Sequence, residues 1–129
     1  MKKNLSILFF GRKNCYYTNK IKLILKKKCR NLFFFESNKL HEKLNLKKIK
    51  NKNFDYIICF RSYYIINTKL LKKCKKLAIN FHPGTPEYRG IGSVNFALYN
   101  NSKYYGSTAH LISKQIDYGK IIDIKKFRI

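Results

Sequence analysis

Short apolar runs alternate with lysine-rich stretches over residues 1–77, and this alternation constrains the fold more than any other feature of the sequence. The apolar runs cover residues 5–10, 32–35 and 56–60, and each is rich in aromatic or β-branched side chains. Runs of this length and composition are typical of strands that are covered on both faces, as in a parallel sheet. The chain is therefore predicted to begin with three buried strands.

The stretches that follow these runs have apolar residues at helical spacing. The apolar positions are Ile21, Ile24 and Leu25 in the first stretch, Leu40, Leu44 and Ile49 in the second, and Leu70, Leu71, Cys74 and Leu77 in the third. Asn67 or Thr68 is placed to cap the third helix. The order βαβαβα predicts an α/β protein with a Rossmann-like, doubly wound, mostly parallel sheet and flanking helices. At this length we expect one domain, residues 1–129.

The formal net charge of +23 is spread unevenly along the chain. Residues 1–76 contain 22 basic and 3 acidic residues, a charge of +19, whereas residues 77–124 contain 4 basic and 3 acidic residues. A strongly basic surface is typical of proteins that bind nucleic acid. The alternative is a bias of composition, since Lys, Ile, Asn, Phe and Tyr all have AT-rich codons and provide 73 of the 129 residues. The sequence leaves both interpretations open.

Cysteine spacing and hydropathy argue against a metal site and a membrane span. The four cysteines (Cys15, Cys29, Cys59 and Cys74) form no Cys-x-x-Cys pair and no Cys/His cluster. We therefore expect free thiols in a reducing compartment and no bound metal. No apolar run approaches the roughly 18 residues that a membrane-spanning helix needs. The sequence favours a cytoplasmic protein that does not bind a membrane.

From residue 77 onward the elements become shorter and the loops more polar. The sequence predicts a strand at 77–82, a loop at 83–92, a helix at 93–100 that Ser93 caps, strands at 105–113 and 120–124, and a turn at 115–119. Asn80 and His82 are two residues apart on the first of these strands, so their side chains point to the same face. They stand at its carboxyl end, where open α/β sheets bind their ligands.

Three polar side chains in this half have the chemistry that acyl-group transfer needs. The amide of Asn80 can donate to a developing oxyanion, the imidazole of His82 can accept a proton, and the carboxylate of Asp117 can orient that imidazole. Singly, each residue also has an ordinary structural interpretation; Asp117, for example, belongs to a turn that ends at Gly119. The three together are the candidate catalytic residues.

Four motifs occur here in order: Asn-x-His at 80–82, Pro-x-Tyr-Arg-Gly at 86–90, Gly-x-Thr-x-His at 106–110 and Asp-x-Gly at 117–119. This set resembles the signature of the formyltransferase family that uses 10-formyltetrahydrofolate. The resemblance covers residues 54–124, whereas residues 1–53 are similar only in their compatible βαβα pattern. It implies a formyltransferase-type catalytic domain of Rossmann-like fold. Because the family's catalytic domain generally continues past the strand that ends near Ile124, we expect a domain that is short at its C-terminus.

The resemblance implies a role for each polar residue. Asn80 would stabilise the oxyanion that forms when an amine attacks the formyl carbon, and His82 would act as general base toward that amine. Asp117 would hold His82 and a water in place and help to protonate the departing folate nitrogen. His110 matches a family position on the neighbouring strand, for which structural support and direct catalysis both stay open.

The resemblance also implies which segments bind the two substrates. The residues that would bind 10-formyltetrahydrofolate are Tyr63, Tyr64, Ile65, Ile116 and Asp117. The residues of the loop that would shape the acceptor site are Pro83, Gly84, Tyr88, Arg89 and Gly90.

The acceptor stays open between several compounds. The loop sequence at 82–88, together with residues 95–99, is similar to family members that formylate amino sugars on nucleotide carriers, which favours a small-molecule amine. The alternatives are a methionyl-tRNA formyltransferase-like enzyme, whose tRNA the charge of residues 1–76 would help to hold, a formyltetrahydrofolate hydrolase with water as acceptor, and a non-catalytic truncated relative. The final apolar residues (Ile121, Ile122, Ile124, Phe127 and Ile129) would suit a homodimer contact.

Overall fold

The computed structural model describes all residues from Met1 to Ile129 and divides into two compact units, Met1–Ala78 and Ile79–Ile129. In chain order the elements are β1 (Lys3–Arg12), α1 (Tyr16–Lys28), β2 (Cys29–Ser37), a 3₁₀ turn (Lys47–Ile49), β3 (Phe54–Phe60), α2 (Thr68–Leu71), β4 (Cys74–His82), α3 (Ser93–Tyr99), β5 (Tyr104–Leu111) and β6 (Ile121–Arg128). The strand order is β2-β1-β3-β4-β5-β6, with β4 running through the boundary between the units. The expectation of a single domain stays a prediction.

In the first unit, β1 is the central strand and pairs in parallel with β2 on one side and β3 on the other. Its residues Leu8, Phe9 and Phe10 are completely buried, as are Phe54 and Ile57 of β3. The three strands predicted from the apolar runs are confirmed, and each extends by a few residues beyond its run. Together these side chains form the apolar core of the first unit.

The prediction that all three strands are covered on both faces is wrong for β2. This strand pairs only with β1, and its Phe34 is 41% exposed. The ammonium groups of Lys22 and Lys26, both on α1, lie over the Phe34 ring at 4.3 and 5.3 Å from its centroid. Aliphatic lysine stems and a cation–π contact cover this ring where a second apolar layer was expected.

The first and third predicted helices exist, although neither matches its apolar pattern completely. On α1, Thr18 is buried and Ile24 is exposed, so the helix packs on a face that excludes Ile24. Asn67 caps α2 as predicted, because its Oδ1 accepts a hydrogen bond from the backbone N–H of Leu70 at 2.9 Å. This helix ends after one turn, at Leu71.

Two helical predictions are wrong. Residues 39–50 form turns and the 3₁₀ segment, in part because Asn45 Oδ1 accepts from the backbone N–H of Lys47 at 3.1 Å, a local bond that competes with a helix. Cys74 and Leu77, placed on the third helix by spacing, instead belong to β4. The backbone N–H of Phe54 donates to the carbonyl of Lys73 at 2.8 Å, so long-range backbone pairing outweighs local periodicity there.

In the second unit, β5 pairs antiparallel with both β4 and β6. The register places His110 opposite Asn80 and Thr108 opposite His82. With parallel pairing around β1, antiparallel pairing around β5 and flanking helices, the predicted α/β, Rossmann-like fold class is confirmed.

Several apolar side chains of the second unit stay exposed. On β6, Ile121, Ile122 and Phe127 are all more than one-third exposed. These residues belong to the set for which a homodimer contact is predicted, and that contact stays a prediction. No helix of the structure has the length and apolar character that crossing a membrane requires.

Candidate active site

The site forms where β4 and β5 bring polar side chains onto one face of the second unit. Directly opposed residues of an antiparallel pair point to the same side, which is why Asn80 and His110 meet. Asn80 Nδ2 lies 3.2 Å from His110 Nε2. His110 is buried, and its other ring nitrogen, Nδ1, lies 2.9 Å from the carbonyl oxygen of Leu111.

Asp117 reaches this pair from the turn between β5 and β6. Its backbone is left-handed, with φ of 60°, a conformation that Asp adopts more readily than most residues. The turn passes so close to β5 that a Cβ on Gly119 would lie 1.6 Å from the carbonyl oxygen of Leu111, so only glycine fits there. Leu111 in turn donates its N–H to the carbonyl of Lys120 at 2.8 Å, which fixes both ends of the turn.

The Asp117 carboxylate faces three side chains. Oδ1 lies 3.4 Å from Asn80 Nδ2 and 3.5 Å from His110 Nε2, and Oδ2 lies 3.7 Å from His82 Nδ1. Two of the candidate catalytic residues, Asn80 and His82, therefore converge with His110 on the carboxylate of the third, Asp117, which lies 37 residues after Asn80 in sequence. The amide, imidazole and carboxylate expected to act together thus lie close to one another, and their catalytic roles stay a prediction.

His82 is held by the loop that follows it. Its Nε2 lies 2.9 Å from the backbone carbonyl oxygen of Tyr88, so this nitrogen carries a proton and donates it. Gly84 lies against this hydrogen bond, because a Cβ there would come within 2.9 Å of both His82 Nε2 and the Tyr88 oxygen. Tyr88 thus holds His82 through its carbonyl, and Gly84 leaves room for this hydrogen bond because it has no side chain.

The start of the loop is anchored by hydroxyl groups that the sequence reasoning did not single out. Thr108 Oγ1 donates to the carbonyl of Gly84 at 2.7 Å, and Ser93 Oγ donates to that of Pro83 at 2.9 Å. Tyr105 also donates to the Pro83 carbonyl and lies 2.6 Å from Ser93 Oγ. Ser93 was expected to cap α3, but Gly92 occupies the cap position and the Ser93 hydroxyl serves the loop. Thr108 is the threonine of the Gly-x-Thr-x-His motif, but the sequence reasoning gave it no role.

Further along the loop, Arg89 covers the Asp117 turn. Its guanidinium carbon lies 4.4 Å above the centre of the Tyr118 ring, a cation–π contact within the second unit. Gly90 has φ of 83°, so the chain bends there in a conformation that side chains disfavour. Two residues of the predicted substrate loop thus lie next to the catalytic candidates, Tyr88 through its carbonyl at His82 and Arg89 through its side chain beside the Asp117 turn.

The contact between Asp117 and His110 shifts the pKa of both side chains. A hydrogen bond with His110, together with the positive charges of His82 and His110, holds the pKa of Asp117 below its usual value in spite of burial. The same hydrogen bond to Asp117 raises the pKa of His110, against the opposing effect of its burial. The site therefore favours an ionised Asp117 beside a His110 that protonates more readily than a free imidazole.

A small cavity of about 10 Å³ lies at this point, at the lower limit of the volume that one water molecule needs. Its lining residues are His82, Pro86, Arg89, Thr108, His110, Asp117 and Ile121. This space next to the candidate residues is of the size of one water, consistent with the water that Asp117 is expected to hold.

With this geometry established, comparison with known proteins decides the family. A family model described as formyl transferase matches residues 10–129, almost the whole chain. This chain belongs to the formyl transferase family.

Two curated proteins to which the chain is similar are much longer than it is. The chain is 36% identical over 93 residues to the bifunctional polymyxin resistance protein ArnA of Wigglesworthia glossinidia brevipalpis, which covers 64% of this chain and 14% of that protein. It is 34% identical over 109 residues to the methionyl-tRNA formyltransferase of Mycoplasma capricolum subsp. capricolum, covering 84% of this chain and 33% of that one. The chain thus spans a third or less of these relatives.

Among solved structures, the fold is similar to an N-formyltransferase from Helicobacter canadensis, determined in complex with folinic acid and dTDP-3-aminofucose. The TM-score is 0.74 at 20% identity, covering 97% of this chain and 53% of that one. At this identity the likeness is one of fold.

The residues expected to bind the folate are divided in sequence between the two units of the chain. In the first unit, Tyr63 and Tyr64 follow β3, where their backbone N–H groups donate to Ser37 Oγ and Ser62 Oγ, both at 3.0 Å. The Tyr64 ring stacks on Phe10 at 5.1 Å, and Ile65 is 51% exposed. In the second unit, Ile116 immediately precedes Asp117 and is exposed. Their role as folate ligands stays a prediction.

Arg12 fixes the same segment of the first unit, which sequence reasoning missed. Its Nε donates to the carbonyl of Arg61 at 3.2 Å, and its guanidinium lies 4.3 Å above the centre of the Tyr63 ring. Arg61 has φ of 52°, a left-handed conformation that is unusual for arginine and that this contact supports.

Proposed function

We propose that this protein transfers a formyl group from 10-formyltetrahydrofolate to a primary amine, with Asn80, His82 and Asp117 as its catalytic residues. The observation that carries the proposal is the convergence of Asn80 and His82 on the Asp117 carboxylate, at 3.4 and 3.7 Å, in a chain of the formyl transferase family. The folate supplies an activated formyl carbon: its bond to the amine forms first, which leaves an oxyanion on the formyl oxygen, and its bond to the folate nitrogen breaks as that oxyanion collapses.

In this proposal His82 takes the proton of the attacking amine. Because His82 Nε2 donates to the Tyr88 carbonyl, the lone pair of the neutral ring is on Nδ1, which faces Asp117. Nδ1 is thus the atom that accepts the proton, and the imidazolium that results lies 3.7 Å from the carboxylate that stabilises it. General base catalysis of this kind contributes roughly 10²–10⁴-fold in rate.

Asn80 and Asp117 act on the other two developing charges. Asn80 Nδ2 donates a hydrogen bond to the formyl oxygen as it becomes an oxyanion, a contribution of roughly 10²–10³-fold for one donor. Asp117 holds a water in the cavity beside it, through which a proton returns to the departing folate nitrogen. Overall, one proton leaves the amine and one reaches the folate, so the transfer changes no net charge.

For the acceptor we propose an amino sugar on a nucleotide carrier. The support is the loop sequence at 82–88 and the likeness in fold to the Helicobacter canadensis enzyme, whose complex contains dTDP-3-aminofucose. The second candidate is a charged tRNA. It is favoured by the charge of +19 on residues 1–76 and by the similarity to methionyl-tRNA formyltransferase. Water as acceptor, which would make the protein a hydrolase, is the third.

Calorimetric binding of 5-formyltetrahydrofolate to the purified chain tests the folate part of the proposal. We expect saturable one-to-one binding, weakened by Ile65→Ala. The matched control is Ile24→Ala, because Ile24 and Ile65 are both 51% exposed and only Ile65 lies in the predicted folate segment. If a folded chain does not bind 5-formyltetrahydrofolate, the folate part of the proposal is contradicted.

Formyl transfer to a panel of acceptors then tests the chemistry. The panel contains nucleotide-linked amino sugars, charged initiator tRNA and buffer alone, with formate release measured for the last. We expect transfer to an amino sugar, and an activity loss of at least roughly 10²-fold in Asn80→Ala and His82→Ala with binding of 5-formyltetrahydrofolate retained. Equal loss of folate binding and thermal stability in both variants would make these residues structural and would overturn their catalytic assignment.

A further inference from the structure

Both protons of the Asn80 amide are engaged inside the protein. Nδ2 lies 3.2 Å from His110 Nε2 and 3.4 Å from Asp117 Oδ1, which accounts for its two N–H bonds. The opposite orientation of the amide would place its oxygen against the carboxylate oxygen, two acceptors without a proton between them. The Asp117 carboxylate therefore sets which way the amide points. In this state the amide has no free N–H for an incoming oxyanion.

The bond to His110 exists in only one charge state of that ring. His110 Nδ1 lies 2.9 Å from the carbonyl oxygen of Leu111, which is an acceptor only, so Nδ1 carries a proton. In the neutral ring Nε2 then has a lone pair and accepts from Asn80 Nδ2. In the protonated ring Nε2 carries its own N–H, and two donors face each other at 3.2 Å.

The protonated ring of His110 lies close to a hydrogen-bond acceptor. Asp117 Oδ1 lies 3.5 Å from His110 Nε2, so the new N–H turns to the carboxylate and the Asn80 N–H loses its partner. We propose that His110 is a positioning residue whose protonation releases one N–H of Asn80 toward the formyl oxygen. The release of the amide follows from the contacts alone, whereas its use in catalysis rests on the proposed function.

The charged and titratable groups that face His110 support this switch from three elements. Asp117 comes from the turn, His82 from β4 and Arg89 from the loop. The hydrogen bond and charge of Asp117 raise the pKa of His110, while burial and the positive charge of Arg89 oppose that rise. The net effect raises the pKa of His110, so the ring protonates at a higher pH than a free imidazole does.

Nuclear magnetic resonance of the whole chain tests the release directly. The probes are the Nδ2 protons of Asn80 and the ring signals of His110 and His82, followed as a function of pH. We expect the Asn80 amide to titrate with the midpoint of His110 and not with that of His82. Below that midpoint one Nδ2 proton should exchange with water roughly tenfold faster, the loss of about one hydrogen bond, relative to the exposed amide of Asn67. An Asn80 amide that stays unchanged while His110 titrates would overturn the proposal.

A variant and a kinetic profile separate the switch from a merely structural role. In His110→Gln the Asn80 amide should lose its titration; should the variant fail to fold, the wild-type titration still decides. In active wild-type enzyme, kcat should fall as pH rises through the His110 midpoint while KM changes little, and His110→Gln should lose that limb. A KM effect without a kcat effect would contradict the catalytic use of the switch. A chain that shows the amide titration but no formyl transfer would sink the proposed function and leave the switch intact.

Discussion

The two units of this chain bury opposite kinds of side chain. Of the buried residues other than glycine, the first unit contains 12 apolar and 2 polar ones, whereas the second contains 2 apolar and 5 polar ones. The surface charge is divided as well, since residues 1–78 contain 22 basic and 3 acidic groups and residues 79–129 contain 7 and 3. The first unit is an apolar core under a basic surface, and the second is a network of buried hydrogen bonds.

This difference indicates that the two units are stabilised by different forces. Burial of aromatic and aliphatic surface is non-directional and tolerates changes in charge at the surface. A buried polar network is stable only when every member has its partner, and in return it fixes side chains in defined positions. Such positions are what a catalytic site requires, so the second unit gives up apolar burial for the placement of Asn80, His82 and Asp117.

The largest stability effect is expected in the core of the first unit. Phe9 is completely buried at the centre of β1, so Phe9→Ala should lower the free energy of unfolding by about 3–5 kcal/mol. The matched control is Phe34→Ala on the neighbouring strand β2, where the ring is 41% exposed and the loss should be well below half as large. Urea unfolding measures both. Equal losses would show that the first unit is not stabilised mainly by its apolar centre.

A smaller effect is expected where the second unit depends on close approach of backbone. A Cβ on residue 119 would lie 1.6 Å from the Leu111 carbonyl oxygen, so Gly119→Ala must displace the turn that carries Asp117. We expect a loss of about 1–3 kcal/mol together with loss of formyl transfer. Lys120→Ala, at the exposed neighbouring position, should stay within about 0.5 kcal/mol and keep activity. A stable and active Gly119→Ala variant would contradict the role of this turn.

The sequence predicted which polar side chains lie together better than it predicted the middle of the chain, and the catalytic role of those side chains stays a prediction. Asn80 and His82 were placed together because strand geometry puts residues two apart on one face, and the motif added Asp117. The helix expected at residues 39–50 failed because Asn45 makes a local turn bond, which periodicity does not detect. The hydrogen bonds that Tyr105, Ser93 and Arg12 donate reach backbone carbonyls 22, 10 and 49 residues away in sequence. A local sequence pattern does not predict such pairs.

The pH dependence of stability should report on the second unit. The lowered pKa of Asp117 contributes stability that is present above its usual value of 3.8 and is lost as pH falls through the lower value in the folded chain. The raised pKa of His110 contributes stability that is complete below 6.5 and is lost as pH rises through the higher folded value. Between these two limits both contributions are present.

Thermal unfolding as a function of pH tests this window. The wild-type chain should be most stable between about pH 4 and pH 6.5, with Asp117→Asn flattening both flanks, because it removes the partner of both shifts. Glu42→Gln is the control, since this carboxylate lies in the first unit, where it accepts a hydrogen bond from the backbone N–H of Asn38. An Asp117→Asn profile identical to that of wild type would place the pH dependence outside the site.

The smallest effect on the free energy of unfolding is expected from substitutions on the basic surface of the first unit. The same substitutions test most directly whether this surface binds a tRNA acceptor. Lys20 and Lys27 are exposed on α1, so Lys20→Gln and Lys27→Gln should each change the free energy of unfolding by less than about 0.5 kcal/mol. If the charge serves a tRNA acceptor, each substitution at a phosphate contact should reduce the slope of log affinity against log salt by roughly 1. If the charge reflects composition alone, the slope should stay unchanged. Titration of labelled tRNA at several salt concentrations separates the two explanations of the charge. A tRNA-binding surface depends on particular lysines, whereas a bias of composition gives no single lysine a role in binding.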